Sequence, residues 1–503
     1  MRTTLYKNSF SGVLQLIISF VLTFVTIPIF IKILGTEVYG LFSVISVIGN
    51  LNIFVNLGLN TTLLKFLSEQ GKTDESNLDI IVTLVITCLL LIPVTFISIY
   101  FNKLVLLSIL NVPVEYYSMS KIFYNFSVLS NSFMLIGQLF AAVIDSQQKI
   151  ILTNILQLVY NLMYWGCTLT AILLGFSLDV IGTGIFASAS IWLILIVFSF
   201  YKIWGKTSFK GLGNNFKRVS KKQIKYSFQI YSSGLISLFY EPLTKILISN
   251  FLGIKEVGFF DIALKFRNQF QGLINKAYYP LLPYLAKLTD MAKIRGIIHD
   301  LEQKSFILLQ PVLVIVFFCT YSFVFLWIGK EVELITFGVV VVLSSFFIGS
   351  FTIIPFYQYL LTKKPHITIV LQAVNVVINA LVFLILYNNF GYYSVLIAYA
   401  VAILFSFVVS VYYQYKFLNS IIFDTVTQVI KVILLFLICF SSAYTVNIFL
   451  LNHIQKILII PTVIILVSVA TFRIFRFFKP CDLERYMNSE SIIYRISSKL
   501  LIG

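Results

Sequence analysis

Long apolar runs separated by short polar connections constrain this chain more than any motif does. A run of about 20 residues with almost no charge is long enough to cross hydrocarbon, and it does so as a helix because its backbone N–H and C=O groups find partners only in one another. Such runs predict helices over residues 8–33, 38–64, 79–101, 118–144, 150–174, 179–201, 226–251, 258–283, 305–328, 334–361, 367–387, 392–413, 430–450 and 457–478. The expected class is all-α: a polytopic membrane protein with about 14 transmembrane helices. Composition agrees, since 59% hydrophobic and 11% charged residues with a mean hydropathy of +0.95 exclude an ordinary soluble domain. The first run is too long for a cleavable signal, and no small-residue cleavage site follows it. The apolar stretch 104–112 is too short to span and predicts an interfacial turn before helix 4.

The chain also carries a weak copy of itself. LGTEVYGLF at 34–42 returns as LGIKEVGFF at 252–260, so Leu34, Gly35, Gly40 and Phe42 fall on Leu252, Gly253, Gly258 and Phe260 at one offset. The same offset sets Ser9, Ser19 and Thr26 on Ser227, Ser237 and Thr244, and Asn154, Gln157 and Asn161 on Gln372, Asn375 and Asn379. Both amide trios have the i, i+3, i+7 spacing of one helical face inside apolar helices, where an amide is costly unless it meets a partner or water. Two similar halves with matching polar faces point to a transporter built from structural repeats. The halves are residues 1–204 and 226–416, joined by a basic linker at 205–225 with no acidic residue; two further helices occupy 417–478, and a tail covers 479–503. The tail mixes apolar and basic residues and could lie on the membrane as a short amphipathic helix.

Lysine and arginine placement sets the orientation. With the N-terminus inside, the cytoplasmic loops and termini hold most of the 37 basic residues, whereas the external ends hold Lys32, Lys103, Lys121, Lys255, Lys330 and Lys456. The positive-inside rule then places both termini in the cytoplasm. The net charge of +17 reflects that asymmetry and attraction to anionic lipid; it does not indicate nucleic acid. Cys88, Cys167, Cys319, Cys439 and Cys481 form no CxxC pair and read as apolar fillers. No metal-binding or cofactor motif is visible.

Two polar constellations remain. The first combines the amide trios with Gln15, Ser19, Thr23 and Thr26 along one side of helix 1. For any one of these residues an interhelical hydrogen bond is a sufficient role. Their repeated placement favours the lining of a central cavity, where neutral donors and acceptors suit a hydroxyl-rich solute such as a sugar. The second constellation is charge inside helices 7 and 8. Glu241 and Arg267 both lie about 14 Å from the outer ends of their helices at a rise of 1.5 Å per residue, so they are expected to pair. Lys245 and Lys265 share a similar depth, and Asp261 precedes Lys265 by one helical turn and can pair with it. With Glu241 the only acid as deep as these cations, a positive surplus is expected there, and phosphate is its natural counter-ion.

LGTEVYGLF, then NLGLNTTLLKFLSE at 56–69 and ISNFLGIKEVGFFDIALKFRN at 248–268, resemble the polysaccharide-export flippases of the multidrug/oligosaccharidyl-lipid/polysaccharide superfamily. Within it, the likeness is greatest to the lipid-linked oligosaccharide flippases of O-antigen and capsule assembly. The resemblance implies two six-helix lobes around a central cavity, plus two extra C-terminal helices beside the second lobe. It implies that an undecaprenyl-pyrophosphate-linked oligosaccharide crosses the bacterial cytoplasmic membrane by alternating access, in company with a glycan polymerase and glycosyltransferases. By position, Lys65 matches a basic residue at the cytoplasmic end of helix 2 and Glu241 an acidic one in helix 7. Glu241 departs from the family's more frequent Asp, and Pro242 beside it is unusual.

Two other functions fit less well. A drug or cation antiporter of the same superfamily would share the fold but calls for deep carboxylates and an anionic cavity. A membrane enzyme of glycan assembly calls for a sizeable outer loop with catalytic groups, whereas His299, His366 and His453 stand isolated. The expectation is therefore a transporter and not an enzyme, with coupling to Na⁺ or H⁺ left open.

Overall fold

The computed structural model describes residues 2–49, 58–207, 212–278, 291–329, 331–350, 366–418 and 426–478. The tail 479–503, linker residues 208–211, residues 50–57 within the helix expected over 38–64, and the ends 279–283 and 351–361 of the helices expected over 258–283 and 334–361 lie outside the described residues. The helices in order are α1 (Arg2–Gly49), α2 (Leu59–Gln70), α3 (Asp74–Tyr100), α4 (Tyr117–Ser146), α5 (Ile150–Leu173), α6 (Leu178–Ile203) and α7 (Leu212–Phe251). They continue as α8 (Ile254–Tyr278), α9 (Met291–Trp327), α10 (Val332–Gly349), α11 (His366–Phe390), α12 (Tyr392–Leu418), α13 (Val426–Phe449) and α14 (His453–Ile474). No strand occurs among the described residues, and eleven stretches are long and apolar enough to cross a membrane. The chain is an all-helical, multi-pass membrane protein.

Three expected spans are not among those eleven, for identifiable reasons. The helix expected over 38–64 is divided between the second part of α1 and the short α2, with 50–57 between them. In α8, Asp261, Lys265 and Arg267 fall within one membrane-length stretch, and the side chains of residues 228–239 in α7 lie outside the described residues. The stretch 104–112 is no span: it forms a π-helical turn, Leu104–Ile109, that buries Leu106 and Leu110.

The chain folds into two compact units, Met1–Asp261 and Ile262–Gly503. The division falls inside α8 rather than at the linker 205–225, because α7 packs on α1, α2 and α3. In the first unit, Leu63, Ile80, Val143, Ile144, Leu156, Trp192 and Phe200 form one core. The indole of Trp192 lies against Gly137, where a Cβ would come within 2.1 Å of its ring; the small residue lets α4 and α6 pack closely. In the second unit, α13 and α14 pack on α9 through Val314, Leu435, Ala443, Ile460 and Ile464, with Cys319 and Cys439 as buried filler. Leu89, Ile92 and Phe96, all more than 60% exposed, form an apolar stripe on α3 that suits lipid and not water.

The internal repeat has a structural basis. Gly35 (φ 89°) interrupts α1, and its counterpart Gly253 (φ 130°) makes the turn from α7 to α8, two conformations that side-chain-bearing residues rarely adopt. The second glycine of each copy serves contact instead. A Cβ on Gly40 would lie 2.0 Å from the carbonyl oxygen of Ile254, and one on Gly258 would lie 3.3 Å from the Gly40 nitrogen. The two copies of the motif thus meet backbone to backbone within the first unit.

Candidate functional site

A polar pocket of about 330 Å³ opens inside the first unit between α1, α4, α5 and α6. Ser46, Ser127, Ser130, Asn131 and Gln138 supply hydroxyls and amides, and Tyr160, Tyr164 and Trp165 supply an aromatic wall. Tyr164 and Trp165 stand edge to face with ring centroids 5.1 Å apart. Asn161, from the sequence-derived trio, lines the pocket and donates from Nδ2 to Ser19 Oγ at 2.6 Å. Ser19 in turn donates to the Gln15 carbonyl at 2.8 Å, and Gln157 Nε2 reaches Asn161 Oδ1 at 3.4 Å. The polar faces expected on helices 1 and 5 therefore join into one chain of hydrogen bonds. Asn154 is half-buried on the same helix, and Thr23 bonds back to the Ser19 carbonyl. In the second unit Asn379 is buried on α11, Gln372 and Asn375 are half-buried, and Asn375 Oδ1 has no hydrogen-bond partner.

The sequence did not single out the α4 residues or the aromatic wall. Ser127, Ser130, Asn131 and Gln138 repeat at helical spacing, so a polar stripe was present to be seen; single serines in apolar helices usually bond to their own backbone, as Ser130 does to the Phe126 carbonyl.

The charged constellation is tighter than expected. Lys245 has no exposed surface, and its Nζ lies 2.6 Å from Asp261 Oδ1, 2.9 Å from Glu241 Oε1 and 3.0 Å from Ser43 Oγ. Tyr39 donates its hydroxyl to the other Asp261 oxygen at 2.6 Å. Asp261, expected beside Lys265, is turned onto Lys245, and Glu241, expected to hold Arg267, also engages Lys245. Two carboxylates around one ammonium replace the expected positive surplus at Lys245. Spacing along α8 does not show which face that helix turns toward α7. Arg267 donates from both Nε and a terminal nitrogen to Asn268 Oδ1, at 3.0 and 2.6 Å, while Lys265 is half-buried on α8. Lys65 lies 3.8 Å from Glu69 and 4.1 Å from the centre of the Tyr226 ring; its hydrogen bond with Tyr226 raises its pKa above the ordinary lysine value.

A second cluster sits at the other end of α7, where the segment expected to be a basic linker meets the expected helix 7. Gln223 is fully buried and donates to the Asp79 carbonyl and carboxylate, both at 3.0 Å, while accepting from Thr83 Oγ1 at 2.8 Å. The hydroxyls of Thr62 and Ser227 are 2.8 Å apart, and Lys222 lies 3.9 Å from Asp79. A signal existed: Val219, Gln223 and Ser227 recur every four residues between the lysines, which is one helical face.

Membrane-length helices enclosing a neutral polar pocket, with charge buried in mutual pairs, define a transporter-like helical membrane protein. The chain belongs to the polysaccharide biosynthesis protein family, whose model matches residues 5–289, more than half of its length. Among solved structures it is similar to the lipid II flippase MurJ in an inward closed conformation, with a TM-score of 0.75 at 14% identity, covering 92% of this chain and 98% of that one. It is also similar to an inward-facing multidrug resistance MATE family transporter of the MOP superfamily, with a TM-score of 0.59 at 12% identity over 81% of this chain and 98% of that one. A variant of the Vibrio cholerae MATE transporter VcmN aligns with a TM-score of 0.57 at 11% identity, over 84% and 98% of the two chains. At such identities these likenesses establish the fold. No curated protein matches the sequence significantly.

Proposed function

We propose that the protein is a flippase that moves a polyprenyl-pyrophosphate-linked oligosaccharide across the bacterial cytoplasmic membrane for surface-polysaccharide assembly, both termini being cytoplasmic. The carrying observation is the pocket of about 330 Å³, lined by neutral amides, hydroxyls and aromatic rings within apolar helices. Amides and hydroxyls donate and accept, so they can exchange bonds with a glycan without fixing a charge, and aromatic faces cover the sugar's apolar CH surface. Family membership and the flippase fold support the same reading. The glycan cannot enter hydrocarbon unaided, whereas the polyprenyl tail need not leave it. Arg267, Lys265 and Lys65 are cations proposed to attract the pyrophosphate, and Gln372, Asn375 and Asn379 are further amides proposed to bind sugar. Glycosyltransferases would supply the substrate and a glycan polymerase would consume it.

The test is a flipping assay in proteoliposomes carrying a lipid-linked oligosaccharide with a fluorescent glycan. Asn161→Leu, which loses the bond to Ser19 and puts an apolar side chain into the pocket, should slow flipping at least tenfold while the protein still inserts and purifies. An unchanged rate would remove the pocket from the path. A second reading, a cation or drug antiporter, draws on the buried carboxylate of Asp261 and the half-buried one of Glu241. It would be favoured if the same vesicles showed proton-driven drug uptake and no flipping.

A further inference from the structure

We infer that a separate pocket of about 230 Å³, between α9, α13 and the end of α14, binds the phosphodiester headgroup of an anionic phospholipid. Lys304, Lys431 and Arg476 line it together with Asp300, Gln303 and Gln428. Asp300 is the one carboxylate in that lining, and it is already engaged by Lys304 at 2.6 Å. Lys431 donates to the Phe475 carbonyl at 3.2 Å, which leaves further N–H donors on its ammonium. The lining therefore has an excess of two positive charges in a space that holds a phosphate group and its first esterified carbons.

Depth identifies the source of the phosphate. Lys304 precedes the end of α9 at Trp327 by about 35 Å of helix, at 1.5 Å per residue, which exceeds the hydrocarbon thickness of about 30 Å. Gln428 and Lys431 lie in the first two turns of α13, and Arg476 lies just beyond α14. All three helices thus bring the pocket to the headgroup level at one membrane face. Below it, Ile430, Ile433 and Ile474 are 51%, 53% and 76% exposed, an apolar surface along which acyl chains can run.

Arg476 adds an independent indication. Its φ is 52°, in the left-handed region, and its amide bonds the Arg473 carbonyl while that of Phe477 bonds the Phe472 carbonyl, both at 3.1 Å. That is the helix-ending turn in which glycine is ordinarily found. An arginine there accepts an unfavourable backbone and brings a planar fork of donors to the pocket, suited to two oxygens of one phosphate. Basic pockets between membrane helices recognise lipid headgroups on this basis.

The experiment is native mass spectrometry of the full chain, delipidated in detergent and titrated with phosphatidylglycerol or with phosphatidylcholine of the same acyl chains. Phosphatidylglycerol should bind more tightly, and each charge removed should weaken it about fivefold, so Lys431→Gln/Arg476→Gln loses more than tenfold. Lys431→Arg/Arg476→Lys should retain the preference. Equal binding of the two lipids, no loss in the Gln variant, or complete displacement of phosphatidylglycerol by millimolar inorganic phosphate would overturn the inference. Should the double variant not fold, the exposed Arg476→Gln alone decides: an unchanged preference for phosphatidylglycerol refutes the site.

Discussion

Lys245 is buried with no exposed surface, so its charge is tolerable only because Asp261, Glu241 and Ser43 meet it. Removing the ammonium takes the shared counter-charge from the buried Asp261 carboxylate and the half-buried Glu241 carboxylate. Lys245→Met should therefore destabilise the protein by about 3–5 kcal/mol, read as a fall in unfolding temperature in detergent. Adding Asp261→Asn should recover a substantial part, because the remaining charge is then Glu241 alone, which is partly exposed. If the double variant were no more stable than Lys245→Met, the ion pair would not be what the lysine is there for. Tyr39→Phe removes one donor to Asp261 and should cost less, about 1–3 kcal/mol. In the sequence, Lys245 and Glu241 were visible as unusual charges deep within helix 7, and Asp261 as a shallower acid on helix 8. Their pairing was not, since Asp261 is equally well spaced for Lys265 and only the packing of α8 on α7 chooses.

At the scale of elements, the repeated glycines behave differently within each motif, and substitution separates them. Gly40→Ala sets a Cβ against backbone that cannot rotate away, 2.0 Å from the Ile254 carbonyl oxygen, and should cost about 1–3 kcal/mol as an overpacked contact. Gly258→Ala meets its nearest atom at 3.0 Å and should cost less. Gly35→Ala meets nothing within 4 Å, and its cost is the backbone alone, which at φ 89° and ψ 165° lies in a region essentially restricted to glycine, about 1–3 kcal/mol. Thermal unfolding of the three variants, each with its glycan-flipping rate, distinguishes packing from conformation. A Gly40→Ala protein as stable as the parent would show that α1 and the α7–α8 turn are not in close contact. The helix α7 was harder to read than the other elements. Its first turns are dense in lysine, which resembles a solvated loop, yet Val219, Gln223 and Ser227 form a buried face and extend the helix back to Leu212.

Across the first unit as a whole, α7 is clasped twice: by Asp79, Thr83 and Thr62 around Gln223 and Ser227, and by Tyr39 and Ser43 of α1 around the Lys245–Asp261 pair. Gln223 and Lys245 are about 33 Å apart along the helix, close to the thickness of the hydrocarbon core. In the alternating access proposed above, each clasp opens in turn, so tying one shut should stop the cycle. With Thr62 and Ser227 hydroxyls 2.8 Å apart, Thr62→Cys/Ser227→Cys in a background freed of native cysteines should form a disulfide. Oxidised protein should flip no glycan, and reduction should restore flipping. Normal flipping by the fully cross-linked form would mean that this end of α7 does not move during transport.

Apolar run length by itself determined that the chain is all-helical and crosses a membrane many times, because hydrocarbon leaves the backbone no other way to satisfy its hydrogen bonds. The offset between 34–42 and 252–260 likewise exposed the repeat, since glycine's conformational freedom and small size are properties of the residue type. Of the candidate site, Asn161, Ser19 and Lys245 were legible from the cost of polar atoms in apolar helices. The tertiary structure alone decided their partners, the aromatic wall supplied by Tyr160, Tyr164 and Trp165, and the burial of Gln223. Those outcomes depend on how each helix is rotated against its neighbours, and that rotation is set by the packing of many apolar side chains, a quantity that no single stretch of sequence contains.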